Sequence, residues 1–132
     1  MPSTTTRLSK IGTVVIPTAD QDGALEFYVE KLGFELRADV PFGGDHRWIE
    51  VAPAGAATTI ALAPPPPDSP EAAGNRQTGI ALHTDDIDSV HADLQARGVD
   101  VDDEVSRMGG PVPPLLWFRD PEGNVLMVVE TS

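Results

Sequence analysis

The chain contains an internal repeat, and this feature restricts its fold more than any other. Residues 11–36 run in the order apolar strand, acidic helix start, amphipathic helix, Leu-Gly stop and second strand, and residues 78–101 repeat that order in a weaker form. The two copies are offset by 66 residues, so Thr13 corresponds to Gly79. Self-similarity at a fixed spacing indicates repeated structural units. We therefore expect two similar modules that pack on each other.

Each copy predicts one strand, one helix and three further strands. Runs of apolar residues indicate the strands, and each helix is expected to end at a glycine, Gly33 or Gly98. Thr18 or Asp20 is expected to cap the first helix. The predicted strands are 8–17, 34–40, 46–52 and 57–63 in the first copy and 78–84, 99–105, 115–119 and 124–130 in the second, whose helix is predicted at 86–97.

The repeat also divides the chain. Residues 1–7 are a short lead-in, 8–63 the first module, 64–77 a proline-rich connector and 78–132 the second module. Four consecutive prolines begin the connector, and they favour an extended polyproline conformation over a sheet. A proline-rich ligand for a partner domain is the alternative interpretation. The position of the segment between the two copies favours a spacer.

Composition and charge bear on partners and location. Nine Lys and Arg against 21 Asp and Glu give a net charge of −12, and the chain has no cysteine. Such a charge disfavours nucleic acid and anionic membranes, and no apolar run approaches the roughly 20 residues of a membrane span. Residues 1–9 lack the apolar core of a signal peptide. We expect a cytoplasmic protein without nucleic-acid or membrane partners.

Two motifs point to a known family. Phe27 and Tyr28 precede the helix end at Gly33, and Phe118 begins the sequence FRDPEGNVLMVVE. Together with the repeat, these motifs resemble the vicinal oxygen chelate superfamily of glyoxalases, extradiol dioxygenases and bleomycin-resistance proteins, over about residues 8–131. The resemblance implies an α+β fold, in which two βαβββ modules form a curled, cup-shaped mixed sheet with the helices outside and the site within the cup.

The resemblance also implies where a metal ion would be held. Enzymes of the superfamily take His or Glu ligands from the first and last strand of each module, and the matching positions here are Thr13, Ala61, Gly79 and Met127. Alanine and glycine have no side-chain donor, a neutral hydroxyl is a weak ligand, and a thioether suits copper(I) rather than harder divalent ions. We expect no metal site and no cofactor, as in the metal-free bleomycin-resistance-type binders that the chain resembles most.

Strand alternation predicts what lines the cup. If Thr13 faces inward, large aliphatic side chains alternate with it and pack under the helices. The inward positions are mostly small, which favours an open apolar cavity. The alternative interpretation is that Trp48, Trp117 and other bulky side chains fill this space. The inward set is Thr13, Val15, Pro17, Thr59, Ala61, Ala63, Gly79, Ala81, His83, Val125, Met127 and Val129.

Five further side chains are candidates for contact with a ligand. Trp48 and Trp117, placed at comparable positions on the third strand of each module, would stack on a planar molecule or pack in the core or a subunit interface. His83 is the candidate for acid–base chemistry, although a strand-end histidine is more often a capping or solvated residue. Arg107, with Arg47, would hold an anionic or carbonyl group.

Two glycine-rich loops correspond in the two copies. Met108 in the second loop and Phe42 in the first are expected to form mobile rims, since binding groups often lie on loops. The loops would therefore border the cup.

The leading hypothesis is a metal-independent protein that binds a small, partly apolar organic molecule, such as an antibiotic or an aromatic metabolite, as a homodimer. The alternative is a metal-dependent lyase, isomerase or dioxygenase of the same superfamily that uses unconventional ligands such as His46, Glu50 or His83. A third hypothesis is an accessory protein with a collapsed cup. Whether the cup forms within one chain or across a dimer is left open by the sequence.

Overall fold

The computed structural model describes residues 6–41, 43–65 and 73–131. The strands of the first half are β1 (Thr13–Pro17), β2 (Glu35–Pro41), β3 (Arg47–Ala52) and β4 (Thr59–Ala63). Those of the second half are β5 (Gln77–Thr84), β6 (Asp100–Val101), β7 (Leu115–Arg119) and β8 (Val125–Glu130). The helices are α1 (Gln21–Leu25), which continues as a π-helical segment (Glu26–Lys31), and α2 (Ile87–Ala96).

The strands form two four-stranded mixed sheets of equivalent topology. Their orders are β1-β4-β3-β2 and β5-β8-β7-β6. In each sheet the first strand pairs in parallel with the last, while the remaining pairs are antiparallel. This is the predicted α+β architecture of two βαβββ units with curled sheets, and the prediction is confirmed.

The observed strand ends differ from the predicted ones at two places. β1 begins at Thr13 rather than at residue 8, and β6 contains only Asp100 and Val101 instead of residues 99–105. At β6 the side chain of Asp102 accepts a hydrogen bond from the backbone N–H of Trp117 at 3.1 Å. The carboxylate thus takes a donor that a longer ladder would have given to a backbone carbonyl, and the strand stops.

One hydrophobic core joins both halves of the chain. It contains Ile16, Ile60, Leu62, Leu126 and Val128 from the sheets, together with residues of both helices, and Val14, Ile80 and Leu82 pack against it. These are the large aliphatic positions predicted to lie under the helices, and that prediction is confirmed. The opposite side of each sheet points away from this shared core. We call these sides the first open face, on β1–β4, and the second open face, on β5–β8.

The π-helical segment explains why two neighbouring aromatic residues are both buried. The N–H of Leu32 donates to the carbonyl of Phe27 at 3.0 Å, five residues back, which widens the turn. Phe27 and Tyr28 therefore both point into the core, where their rings lie edge to face with centroids 5.1 Å apart. A regular helix would turn adjacent side chains about 100° apart, and one ring would move toward solvent.

The two halves are held together by the turn that precedes β8. Tyr28 donates to Asp120 Oδ2 at 2.9 Å, and the rings of Phe27 and Phe118 lie 6.3 Å apart. Glu122 in the same turn accepts the backbone N–H groups of Ala19 and Asp20, both at 3.0 Å, just before α1. The motifs that carry the family resemblance therefore meet at the joint between the two sheets.

The Tyr28 hydroxyl gives a prediction for alkaline pH. Burial, with the nearby Asp120 carboxylate adding to it, raises the pKa of Tyr28 well above its ordinary value of 10.0. Above pH 10 the unfolded chain loses this proton while the folded chain keeps it, so the free energy of unfolding falls as pH rises. We expect a loss of about 1.4 kcal/mol per pH unit that is absent in Tyr28→Phe.

Urea unfolding of both proteins at pH 9, 10 and 11 measures this difference. The chain has one tyrosine, so the comparison isolates a single phenol. Parallel pH dependences in the wild type and the variant would contradict the assignment.

Candidate functional site

The first open face has an acidic side chain at its centre. Backbone register places Glu50 of β3 between Ala38 of β2 and Ala61 of β4, and Ala61 in turn lies opposite Val15 of β1. Val15 is 54 % exposed, whereas Ala61 is fully covered by its neighbours. The resulting surface is a row of small and apolar side chains interrupted by one carboxylate.

Two hydrogen bonds hold that carboxylate. Trp48 Nε1 donates to Glu50 Oε2 at 2.7 Å, and Thr59 Oγ1 donates to Glu50 Oε1 at 2.6 Å. The hydroxyl of Thr13 lies 3.2 Å from that of Thr59 and extends the chain. Hydrogen bonds from Thr59 and then Trp48 hold the pKa of Glu50 below its ordinary value of 4.5. Glu50 is therefore ionised at neutral pH.

The second open face is aromatic and apolar. Trp117 of β7 lies opposite Met127 of β8, which lies opposite Ala81 of β5. His83, two residues further along β5, pairs with Val129 and is exposed. Ala81 is exposed and Met127 is half-buried. The predicted inward positions of this half, from Ala81 onward, thus share one face.

The register corrects one detail of the repeat. Trp48 and Trp117 were expected to occupy comparable positions on the third strands, yet Trp117 lies opposite Met127 and Glu50 lies opposite Ala61. Since Ala61 and Met127 are equivalent in the repeat, Trp117 corresponds to Glu50, and Trp48 lies two residues away. A length difference of one residue between the copies, which sequence spacing alone does not locate, causes this shift.

Gly79 lies in an irregular part of β5. Register passes from Gln77 opposite Val125 to Ala81 opposite Met127, so β5 has extra residues here. Gly79 has φ of +73°, and a Cβ added to it would meet no heavy atom within 4 Å. The backbone therefore favours glycine at this bulge for its conformation as well as for the space it leaves. Sequence reasoning identified only the second reason.

The four positions inferred for metal ligands do not fit a divalent cation. Thr13, Ala61, Gly79 and Met127 supply a hydroxyl, a methyl group, a hydrogen and a thioether. Within residues 6–41, 43–65 and 73–131, no three His, Cys, Asp or Glu side chains are grouped so that they could hold a metal ion. Zinc sites use about three to four nitrogen, sulfur or oxygen ligands from the protein. The donor chemistry of these positions is that of a binding surface.

The other predicted contacts lie apart from the centres of the open faces. Arg107 donates to both oxygens of Asp88 at 2.7 and 2.8 Å on the surface, and Arg47 is bound by Asp22 and Asp39. Met108 is 74 % exposed in its loop. Phe42 lies outside the described residues. The roles predicted for Arg107 and Met108 stay predictions.

A groove runs between the two edge strands β1 and β5. Its volume is about 470 Å³, and Val14, Val15, Ile60, Gly79, Ala81 and His83 are among the residues that line it. β1 and β5 are each the outer strand of their sheet, so both present unpaired backbone groups beside the groove. In the part of the chain that the structure describes, no helix is long and apolar enough to cross a membrane.

The chain is similar to proteins of known structure along nearly its whole length. TnmS3, an antibiotic binding protein from Streptomyces sp. CB03234, is 40% identical, with a TM-score of 0.81 over 97% of this chain and 100% of that one. A superfamily member from Sphaerobacter thermophilus DSM 20745 is 35% identical, with a TM-score of 0.83 over 94% of this chain and 98% of that one.

Two further observations concern the family itself. YetH of Bacillus subtilis (strain 168) is 31% identical over 123 residues, which are 93% of this chain and 99% of YetH. The family model described as Glyoxalase/Bleomycin resistance protein/Dioxygenase superfamily matches residues 10–128. With the paired βαβββ sheets described above, these matches show that the chain belongs to the glyoxalase/bleomycin resistance protein/dioxygenase superfamily.

Proposed function

We propose that this protein binds and sequesters a small, partly apolar organic molecule without a metal ion. The observation that carries the proposal is the chemistry of the open faces. Where superfamily enzymes have metal ligands, this chain has Thr13, Ala61, Gly79 and Met127. Around them are apolar and small side chains with few polar groups, which is the usual lining of a ligand pocket.

The relatives support a ligand of this kind. TnmS3 is described as an antibiotic binding protein, and at 40% identity over 97% of this chain it is similar enough to suggest a related type of cargo. We propose an antibiotic or an aromatic metabolite as the ligand class. Fold analogy does not choose among such molecules, so the class is as far as the comparison extends.

We propose further that the working unit is a cytoplasmic homodimer. The helix-facing sides of both sheets share one core, so the two open faces of a single chain point away from it. In a dimer, the first open face of one protomer would cover the second open face of its partner and close a cup. Exposed apolar residues along β1 and its approach, Ile11 at 74 % and Val15 at 54 %, support such a contact.

A ligand screen by thermal unfolding, run with and without EDTA, tests the binding function. A ligand at 100 times its Kd would stabilise the folded state by about 2.7 kcal/mol. For a chain of this length we expect a rise in Tm of several degrees, in the range of about 4–8 °C, that EDTA leaves unchanged. Loss of the shift in EDTA, with stoichiometric metal retained through gel filtration, would instead favour the metal-dependent lyase, isomerase or dioxygenase.

A further inference from the structure

Glu50 is a charged group placed within an apolar binding surface. Its strand neighbours across the sheet are two alanines, Ala38 and Ala61, and neither reaches over the carboxylate. Glu50 itself is half-buried. The register therefore leaves its carboxylate at the bottom of a shallow notch on the first open face, where a ligand in the cup would cover it.

The hydrogen bonds around Glu50 all deliver protons to it. Thr59 has a single hydroxyl proton, which the 2.6 Å bond assigns to Glu50 Oε1. In the contact between Thr13 and Thr59 the donor is then Thr13. With the indole N–H of Trp48 on the other oxygen, the carboxylate is fixed in orientation and each oxygen keeps further acceptor capacity.

No cation in the chain neutralises this charge. Among residues 6–41, 43–65 and 73–131, no Lys, Arg or His nitrogen forms an ion pair with Glu50. A bound ligand would remove water from the carboxylate, and burial of an unpaired charge is unfavourable. A ligand that brings its own cationic donor removes this penalty, whereas an anionic ligand increases it.

We propose, building on the binding function proposed above, that Glu50 selects the ligand, and that it takes apolar ring systems that carry a protonated amine. The ammonium group would lie in the notch between Ala38 and Ala61 and donate to Glu50. The ring system would lie on the apolar residues around it. Neutral analogues bind more weakly, and carboxylates bind weakest.

Three matched probes test the inference: 2-naphthylmethylamine, 2-naphthalenemethanol and 2-naphthoate. Affinities for the full chain are measured by isothermal titration calorimetry at pH 7. We expect the amine to bind about tenfold or more tightly than the alcohol, as charge pairs at covered sites do. In Glu50→Gln this ratio falls to about one, while the affinity for the alcohol stays within about twofold.

Two controls separate charge from shape. Glu30→Gln removes an equal charge from an exposed position on the π-helical segment and is expected to keep the amine preference. Glu50→Asp keeps the charge and shortens the side chain, and is expected to retain most of the preference even if its hydrogen bonds to Trp48 and Thr59 weaken. Circular dichroism and thermal unfolding of each variant verify folding.

The outcomes distinguish this inference from the proposed function. If the alcohol binds and Glu50→Gln leaves the amine-to-alcohol ratio unchanged, ligand selection by Glu50 is wrong and the binding function stands. If none of the three probes binds to the wild type, both proposals are contradicted. An amine preference lost equally in Glu30→Gln would assign it to the net charge of −12 rather than to Glu50.

Discussion

Asp120→Ala is expected to lower the free energy of unfolding by about 4 kcal/mol, because it removes a buried acceptor of several hydrogen bonds. Asp120 is 7 % exposed and accepts from the hydroxyl of Tyr28, the amide side chain of Asn124, and the backbone N–H groups of Glu122 and Asn124, each at 2.9 Å. Alanine leaves these donors unpaired in the joint between the two sheets. Urea unfolding at pH 7 measures the change.

Two controls accompany this prediction. Tyr28→Phe removes one of the donors and retains the ring packing, so we expect a loss of only about 1 kcal/mol. Asp103→Ala removes a carboxylate from an exposed position in the loop after β6 and is expected to change stability by less than about 0.5 kcal/mol. A loss below about 1 kcal/mol for Asp120→Ala would show that the turn does not hold the halves together.

The second large effect concerns how the cup is built. Val15→Trp fills the first open face and Ala81→Trp fills the second. Both positions are exposed, so the cost in stability is small. Each variant alone is expected to bind 2-naphthylmethylamine at least about tenfold more weakly, a loss of about 1.4 kcal/mol or more. If cups form across a dimer, a mixed dimer then contains one cup without either tryptophan and one cup with both.

Mixing the two variants therefore distinguishes the two architectures. After joint unfolding and refolding at equal concentrations, random pairing would restore about a quarter of the wild-type sites with wild-type affinity. A cup within one chain predicts no recovery, because every chain then carries a blocked cup. Light scattering at the working concentration provides the control, and a monomer there would contradict the dimer directly. Ala92→Trp, exposed on α2, checks that an added tryptophan is harmless elsewhere.

The repeat and the alternation of side chains carried most of the fold. The 66-residue offset predicted two equivalent sheets, and the large aliphatics at alternate positions correctly identified the helix-facing sides. The π-helical turn at Phe27 was not predicted, because its 3.0 Å hydrogen bond to Leu32 depends on the space available in the core. Likewise, spacing gave no reason to end β6 at Val101, since that depends on a side chain reaching Trp117.

The candidate site shows the same division. Alternation correctly assigned Val14, Ile16 and their partners to the helices, and it left small residues for the opposite faces. It did not identify the importance of Glu50, which was expected to face solvent with the other charged residues of its strand. The pattern Trp48-x-Glu50 was a usable signal, because residues two apart on a strand share a face.

Local pattern, acting over a few residues, determined by itself the order of strands and helices, their apolar sides and the lack of metal-binding side chains at four positions. Tertiary structure alone decided which residues meet across the sheets. It placed the turn at Asp120 against Tyr28, set Glu50 between two alanines, and turned both open faces away from the shared core. The physical reason is that strand register and sheet packing are fixed by contacts between residues far apart in the chain, whose pairing no local periodicity encodes.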